Sequence, residues 1–208
     1  MFCLKLMSSV VLTFLLIKVT TPPNATNKSD KVIESLPVAF VTTKVQSFIF
    51  FSTILISNYI QFKEGHVTTT SFESIGAIVC VLGCVLRLWS YQILDNLFTF
   101  DLAIRKNHKI VKTGPYRMVR HPSYTGMMMA SLGFHMFHFS PNTIQALDLY
   151  LGSIGSWFIM IWVIASVVLS VYFFVIRIPK EEKMMQNEFK ESWNLYVKDT
   201  WKLIPFVY

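Results

Sequence analysis

Five stretches of this chain stay apolar for about the length of helix that crosses a bilayer, roughly 20 residues, and that pattern leaves few folds open. They run from about Phe2 to Val19, Val45 to Phe62, Phe72 to Leu94, Tyr124 to Phe139 and Leu149 to Ile176. The fourth is short and rich in Met and Gly. The fifth exceeds what a bilayer needs, so it should tilt or project beyond it. Of the 208 residues, 53% are apolar and 15% charged, against roughly 25% charged in soluble domains. A water-soluble chain of this size could not cover that much apolar surface. The predicted fold class is therefore all-α, a polytopic integral membrane protein with about five transmembrane helices, forming one unit over residues 1–208. After the fifth stretch, Phe189, Trp193 and Tyr196 recur at helical spacing within the charged run Glu181–Tyr196. That pattern predicts a C-terminal amphipathic helix lying on the membrane surface.

The placement of charge orients these spans. A net charge of +7 would suit nucleic acid, but Lys and Arg cluster just outside the apolar runs, so no nucleic-acid partner is expected. The segment between the third and fourth stretches holds Arg105, Lys106, Lys109, Lys112, Arg117 and Arg120, and the C-terminal tail is also basic. Positively charged loops stay cytoplasmic, which puts this loop and the C-terminus inside and the N-terminus outside. Cleavage of the first stretch as a signal peptide would invert that order, so it is read as a retained helix. Thr20–Ser35 is then a cytosolic linker, and its sequons at Asn24 and Asn27 would stay unmodified. Cys3, Cys80 and Cys84 form no metal or redox pattern. Cys80 and Cys84 share a helix face, where packing is their expected role.

Two polar stretches hold residues suited to chemistry. The first begins at His108, Lys109, Ile110 and Val111, turns at Gly114-Pro115 beside Tyr116, and ends in Arg120-His121-Pro122-Ser123-Tyr124. Pro122 suits the first turn of a helix, so His121, Ser123 and Tyr124 sit at a helix N-terminus, a natural seat for a carboxylate or phosphate. In the second stretch Arg177 and Glu181 are four apart and share a face if the helix continues. Pro179 between them should kink or restart it. On physics alone, these two charges read first as membrane-boundary anchors and second as a functional pair. His135 and His138 have no third ligand near them in sequence and read as interfacial residues. Met127, Met128 and Met129 read as adaptable packing.

The run GPYRMVRHPSYTG, followed after one long apolar span by RIPKEEKMMQNEFKESWNLY, resembles the isoprenylcysteine carboxyl methyltransferase family over about His108 to Pro205. The resemblance implies S-adenosylmethionine as methyl donor, without a metal, in a cytosol-facing pocket within about residues 95–208. The positions that match the family's cofactor contacts are His108, Lys109, Ile110 and Val111, then Tyr116, then His121, Pro122, Ser123 and Tyr124. Glu181 matches a carboxylate on the cofactor, and Arg177 matches an arginine beside the substrate carboxylate, which makes these two the catalytic candidates. The family often has a glutamine before the His108 position, whereas Phe100–Asn107 contains none. The implied reaction is methyl esterification of the C-terminal isoprenylcysteine of prenylated CaaX-type proteins after proteolysis. Membrane lipid is the other implied partner, and the endoplasmic reticulum membrane the implied location in a eukaryote. The same motif occurs in phospholipid methyltransferases, so N-methylation of phosphatidylethanolamine is the alternative.

Overall fold

The computed structural model describes residues 2–21, 23–24, 30–34, 51–52, 55–60, 62–63, 69–105 and 108–206. Its frame is a hairpin of two helices, α2 (Ser71–Leu94) and α3 (Pro122–His138), the latter followed directly by α4 (Pro141–Lys198). Helix α1 (Phe2–Thr20) runs alongside, and the strands β1 (Lys31–Glu34) and β2 (Leu102–Ile104) lie outside the bundle.

Helix α2 starts on a capping box. The Thr70 hydroxyl accepts from the Glu73 N–H at 3.2 Å, and the Glu73 carboxylate accepts from the Thr70 N–H at 2.9 Å, satisfying two orphan donors at once. Against it α3 packs antiparallel and very close, because the contact stripe is small. A Cβ built on Gly83 would stand 2.3 Å from the Ala130 backbone nitrogen, and one on Gly133 the same distance from that of Cys80. Small residues that let two backbones touch are how helices associate where lipid removes the hydrophobic drive. Cys80 and Cys84 lie fully buried in this seam beside Ala130 and Phe134, which is the packing role expected for them.

Polar contacts at both ends dock α1 parallel to α2. At one end Lys5 meets Glu73 at 2.8 Å, and the Ser140 hydroxyl donates to the same carboxylate oxygen at 2.7 Å. At the other end the Val19 carbonyl accepts from Arg87 Nε at 2.7 Å and from the Tyr91 hydroxyl at 2.5 Å. Between them Leu12, Leu16 and Val19 join the core formed by Cys80, Cys84 and Phe137.

Ser71–Leu97 and Pro141–Ala165 are long and apolar enough to cross a membrane. Of the second expected stretch, Val45–Phe62, residues 51–52, 55–60 and 62 are helical, and 45–50, 53–54 and 61 lie outside the described residues. The fifth expected stretch forms part of α4, which starts at Pro141 and departs from helical geometry at Gly152 (φ 67°) and Lys190 (φ 46°). Pro179 causes no such break. The helix passes through it because Arg177, Ile178 and Met184 are buried on one side, and that packing outweighs one lost backbone bond.

Two further expectations are corrected. The run Glu181–Tyr196 does not offer its apolar face to a membrane surface. Met184, Trp193 and Tyr196 are buried, with Met184 packed on Leu102 and Ile104 and the Tyr196 hydroxyl donating to the Tyr116 carbonyl at 2.7 Å. An amphipathic helix covers whatever apolar surface is nearest, and here that surface is the protein's own loop. The fold is also not purely helical, because the linker contributes β1, antiparallel to β2 with Lys31 opposite Ile104. Asn24 anchors the same linker by donating to the Asp95 carbonyl at 2.7 Å. Asn27 lies outside the described residues.

Candidate active site

Three pieces of chain converge where α3 begins. The first is the loop residues 98–105 and 108–121, the second the middle of α4 and the third the tail after Lys198. A short 3-10 turn, Gly114–Arg117, carries Tyr116 inward, and Pro122 opens α3 as its first-turn residue. Tyr124 therefore faces α4 from the first turn of α3, with its ring stacked on His121 (centroids 5.5 Å, interplanar 12°) and tilted on Phe174.

Arg177 is 8% exposed. Its Nε donates to the Tyr124 hydroxyl at 2.7 Å, and one terminal nitrogen donates to the Phe100 carbonyl. The Tyr124 hydroxyl in turn donates to Glu181 at 2.5 Å. The phenol thus links the two side chains that the sequence singled out. The other Glu181 oxygen lies 3.8 Å from His121 Nδ1.

The neighbouring carboxylate does something different. Glu182 accepts from Arg120 Nε at 3.0 Å, and stands 3.3 Å from both His121 Nε2 and Lys202 Nζ. Burial alone would raise its carboxyl, but the hydrogen bonds and charges of His121 and Arg120 bring it down to about 2. His121 is held between two acidic residues, one turned to Tyr124 and the other to the tail. Glu182 was not among the expected site residues, although it belongs to the R-x-x-x-E-E run that attracted attention.

The remaining expected residues are placed unequally. Tyr116 is buried, and both that burial and the Glu181 charge raise its phenol well above its usual value, so it stays protonated. His108 rests against the Phe189 ring at 5.6 Å, and burial lowers its imidazole below the ordinary value. Lys109 is exposed, and Ile110 and Val111 are partly buried in irregular chain. Pro122 and Ser123 turn inward. The Ser123 hydroxyl and carbonyl both accept from Arg87, each at 2.9 Å, so this serine pins α3 to α2. Arg87 went unassigned in the sequence, where a lone arginine in an apolar helix was the available signal.

The tail locks the arrangement from outside. The Arg120 N–H donates to the Trp201 carbonyl at 2.8 Å, the Trp201 N–H to the Met118 carbonyl at 3.0 Å, and the His121 N–H to the Lys202 carbonyl at 3.1 Å. The Arg120 side chain reaches the carbonyls of Val197 and Thr200.

Residues 76–187, more than half of the chain, match the sequence profile of the isoprenylcysteine carboxyl methyltransferase (ICMT) family. The chain belongs to that family. Curated ICMT relatives include protein-S-isoprenylcysteine O-methyltransferase B of Arabidopsis thaliana, 29% identical over 65% of this chain and 60% of that protein. The Tribolium castaneum protein-S-isoprenylcysteine O-methyltransferase is 30% identical over 65% of this chain and 42% of its own length. This chain thus spans about 60% of the length of the plant relative and less of the insect one. Among solved structures, the eukaryotic intramembrane Ras methyltransferase ICMT superposes with a TM-score of 0.55 at 24% identity, over 84% of this chain and 55% of that one. Fold and motif thus coincide, because the ICMT profile covers α2 from Gly76 on, α3 and the turns of α4 that carry Arg177 and Glu181.

Proposed function

We propose that this chain is an S-adenosylmethionine-dependent methyltransferase that esterifies the C-terminal carboxylate of isoprenylcysteine on prenylated CaaX-type proteins after proteolysis. Its place is the endoplasmic reticulum membrane, with about five helices crossing and the Arg177 end facing the cytosol. The observation that carries this reading is the partly buried Arg177–Tyr124–Glu181 linkage where the apolar part of α4 gives way to polar chain. Charge placement gives the orientation, since the loop 95–121 and the tail lie together and both are basic.

The residues fit the methyl donor's charges. Glu181 is 30% exposed at its side chain and offers an anion to a cationic amino or sulfonium group, while His121 stands beside it. His108, Tyr116 and Tyr124 complete the lining, with the backbone of residues 109–111 alongside. Pro122 and Ser123 support that lining from behind. S-adenosylmethionine would supply an electrophilic methyl carbon on sulfur.

What the protein's own groups must do is limited. A carboxylate nucleophile is already ionised at neutral pH, so no base is needed and no proton moves. Arg177 would receive that carboxylate in place of the Phe100 carbonyl, as a planar fork binds two oxygens in fixed geometry. Burial keeps water away and strengthens the contact. A guanidinium already shared with Tyr124 holds the substrate without quenching it completely. Phosphatidylethanolamine methylation would need a base for the amine proton. The named relatives are O-methyltransferases, which favours the ester over the amine.

The test gives membranes containing the protein labelled S-adenosylmethionine with either a farnesylcysteine analogue or phosphatidylethanolamine. Base-labile label on the analogue is the expected result. Label confined to the phospholipid overturns the ester reading.

A further inference from the structure

The tail beyond α4 carries more apolar surface than its latching role requires. Trp201, Ile204 and Phe206 are exposed, the last at 82%, and Met118, which caps the 3-10 turn beside them, is exposed too. Trp201 and Phe206 pair at 5.8 Å. These side chains do not float free of the bundle. The Thr125 hydroxyl donates to the Leu203 carbonyl at 2.7 Å, which places the tail beside the first turn of α3 rather than above it. Thr125 is three residues past Pro122, so at 1.5 Å per residue the tail has descended roughly 4–5 Å along α3. Arg117 and Lys198 are exposed nearby, with Lys202 partly so.

Aromatic and aliphatic side chains set at the start of an apolar helix, with lysine and arginine around them, match the headgroup layer of a bilayer. That layer accepts amphipathic rings, and its anionic lipids attract basic side chains. A basic peptide partner would be repelled by the same charges. We infer that residues Met118, Trp201, Ile204 and Phe206 form an interfacial anchor that inserts into the headgroup region of the membrane leaflet on the Arg177 side. The lipid surface thereby bears directly on the active site, because the anchor's backbone is hydrogen-bonded to Arg120 and His121. This inference rests on the reading that the chain spans a membrane.

The experiment reconstitutes full-length protein in vesicles of phosphatidylcholine with phosphatidylserine, with Cys3 replaced by serine and Cys80 and Cys84 left buried in the helix seam. An environment-sensitive fluorophore is attached to F206C, and separately to I204C in case the first variant disturbs the tail. A third label at F158C, exposed on α4 within the candidate span, reports on the membrane reading itself. The anchor requires blue-shifted emission at position 206 or 204, quenched by lipids carrying a shallow nitroxide and resistant to aqueous iodide. Replacing phosphatidylserine by phosphatidylcholine should weaken that shallow quenching. A label at both tail positions quenched by iodide and indifferent to nitroxide lipids overturns the anchor while the F158C label remains lipid-quenched. Iodide quenching at all three positions overturns the membrane reading as well. A tail label shielded from both quenchers would mean that protein, not lipid, covers the tail, and this too overturns the anchor.

Discussion

Arg177 donates its Nε to the Tyr124 hydroxyl at 2.7 Å, joining α4 to a motif 53 residues earlier in the chain. The consequence is that Arg177 is oriented before any substrate arrives. The same phenol donates its own hydrogen bond to Glu181, so the two charged residues are coupled through one hydroxyl.

Arg177→Ala should reduce kcat/KM for a prenylcysteine analogue by roughly one to two decades, the equivalent of about 1.5–3 kcal/mol for a charge-assisted contact. The loss should appear in kcat as well as in KM, because orientation of the nucleophile matters in the transition state. Arg177→Lys should recover only part, since an ammonium cannot reproduce the fork. Glu181→Ala should instead raise KM for S-adenosylmethionine. Steady-state kinetics with each substrate varied in turn separates these outcomes, and near-normal turnover by both alanine variants would return the pair to boundary charges.

Tyr124→Phe keeps the ring stacked between His121 and Phe174 but removes the hydroxyl that serves both Arg177 and Glu181. A neutral buried hydrogen bond contributes about 1 kcal/mol and one to a charged group about 1.5–3 kcal/mol. Turnover should fall by about a decade or more, and thermal unfolding in detergent should show the loss of about 1.5–3 kcal/mol that a bond to a charged group contributes. A variant with full activity would show that Arg177 needs no support from the phenol.

Acid should weaken the clasp on His121 through Glu182. Its folded-state carboxyl is depressed from the usual 4.5 to about 2. A depressed carboxyl adds stability that is fully present above 4.5, declines as pH falls below it and is lost near 2. Thermal unfolding followed between pH 6 and 2 should show this acid limb in the parent protein and a flatter one in Glu182→Gln. Identical profiles would mean that the Arg120 and His121 contacts contribute nothing to stability.

Gly83→Val should disrupt the hairpin. An added Cβ meets the Ala130 nitrogen at 2.3 Å, the Gly126 carbonyl at 2.6 Å and the Met129 Cβ at 2.8 Å. Backbone cannot rotate aside as a side chain can, so the cost should exceed the 1–3 kcal/mol typical of about one excess methylene in a core. Gly152→Ala meets no neighbour and strains only its own backbone, held at φ 67° and ψ 167°, so it should cost about 1–3 kcal/mol. Unfolding in detergent, compared for the two variants, ranks them. Equal melting temperatures would contradict the close seam.

The apolar runs made α1, α2 and α3 legible to within a few residues, because a helix boundary in such a chain coincides with a change from apolar to polar. The linkage of Arg177 to Glu181 was visible as a spacing, and Tyr124 stood in the matching motif. Three features were not readable, each because it depends on what lies opposite in space. The apolar face of Glu181–Tyr196 looks the same whether lipid or the loop 102–116 covers it. β1 is four residues long and owes its existence to β2, far away in sequence. Ser123 seemed to face a ligand because it lies at a helix N-terminus, whereas Arg87 claims its hydroxyl from another helix. Glu182 could have been weighed from sequence, since two adjacent acids on a helix point to different faces.

The Lys5–Glu73 contact also fixes an order of events during biogenesis. The two residues are 68 positions apart, and at about 5–20 residues per second the ribosome takes roughly 3–14 seconds to cover that distance. Throughout that interval the newborn α1 holds a lysine with no counter-charge, and its ammonium must stay at the water boundary. Only the arrival of α2 lets it sink into the bundle, where Glu73 is 1% exposed. An α1 whose partner never comes therefore keeps its ammonium at the water boundary, and the depth at which α1 settles depends on a residue made later.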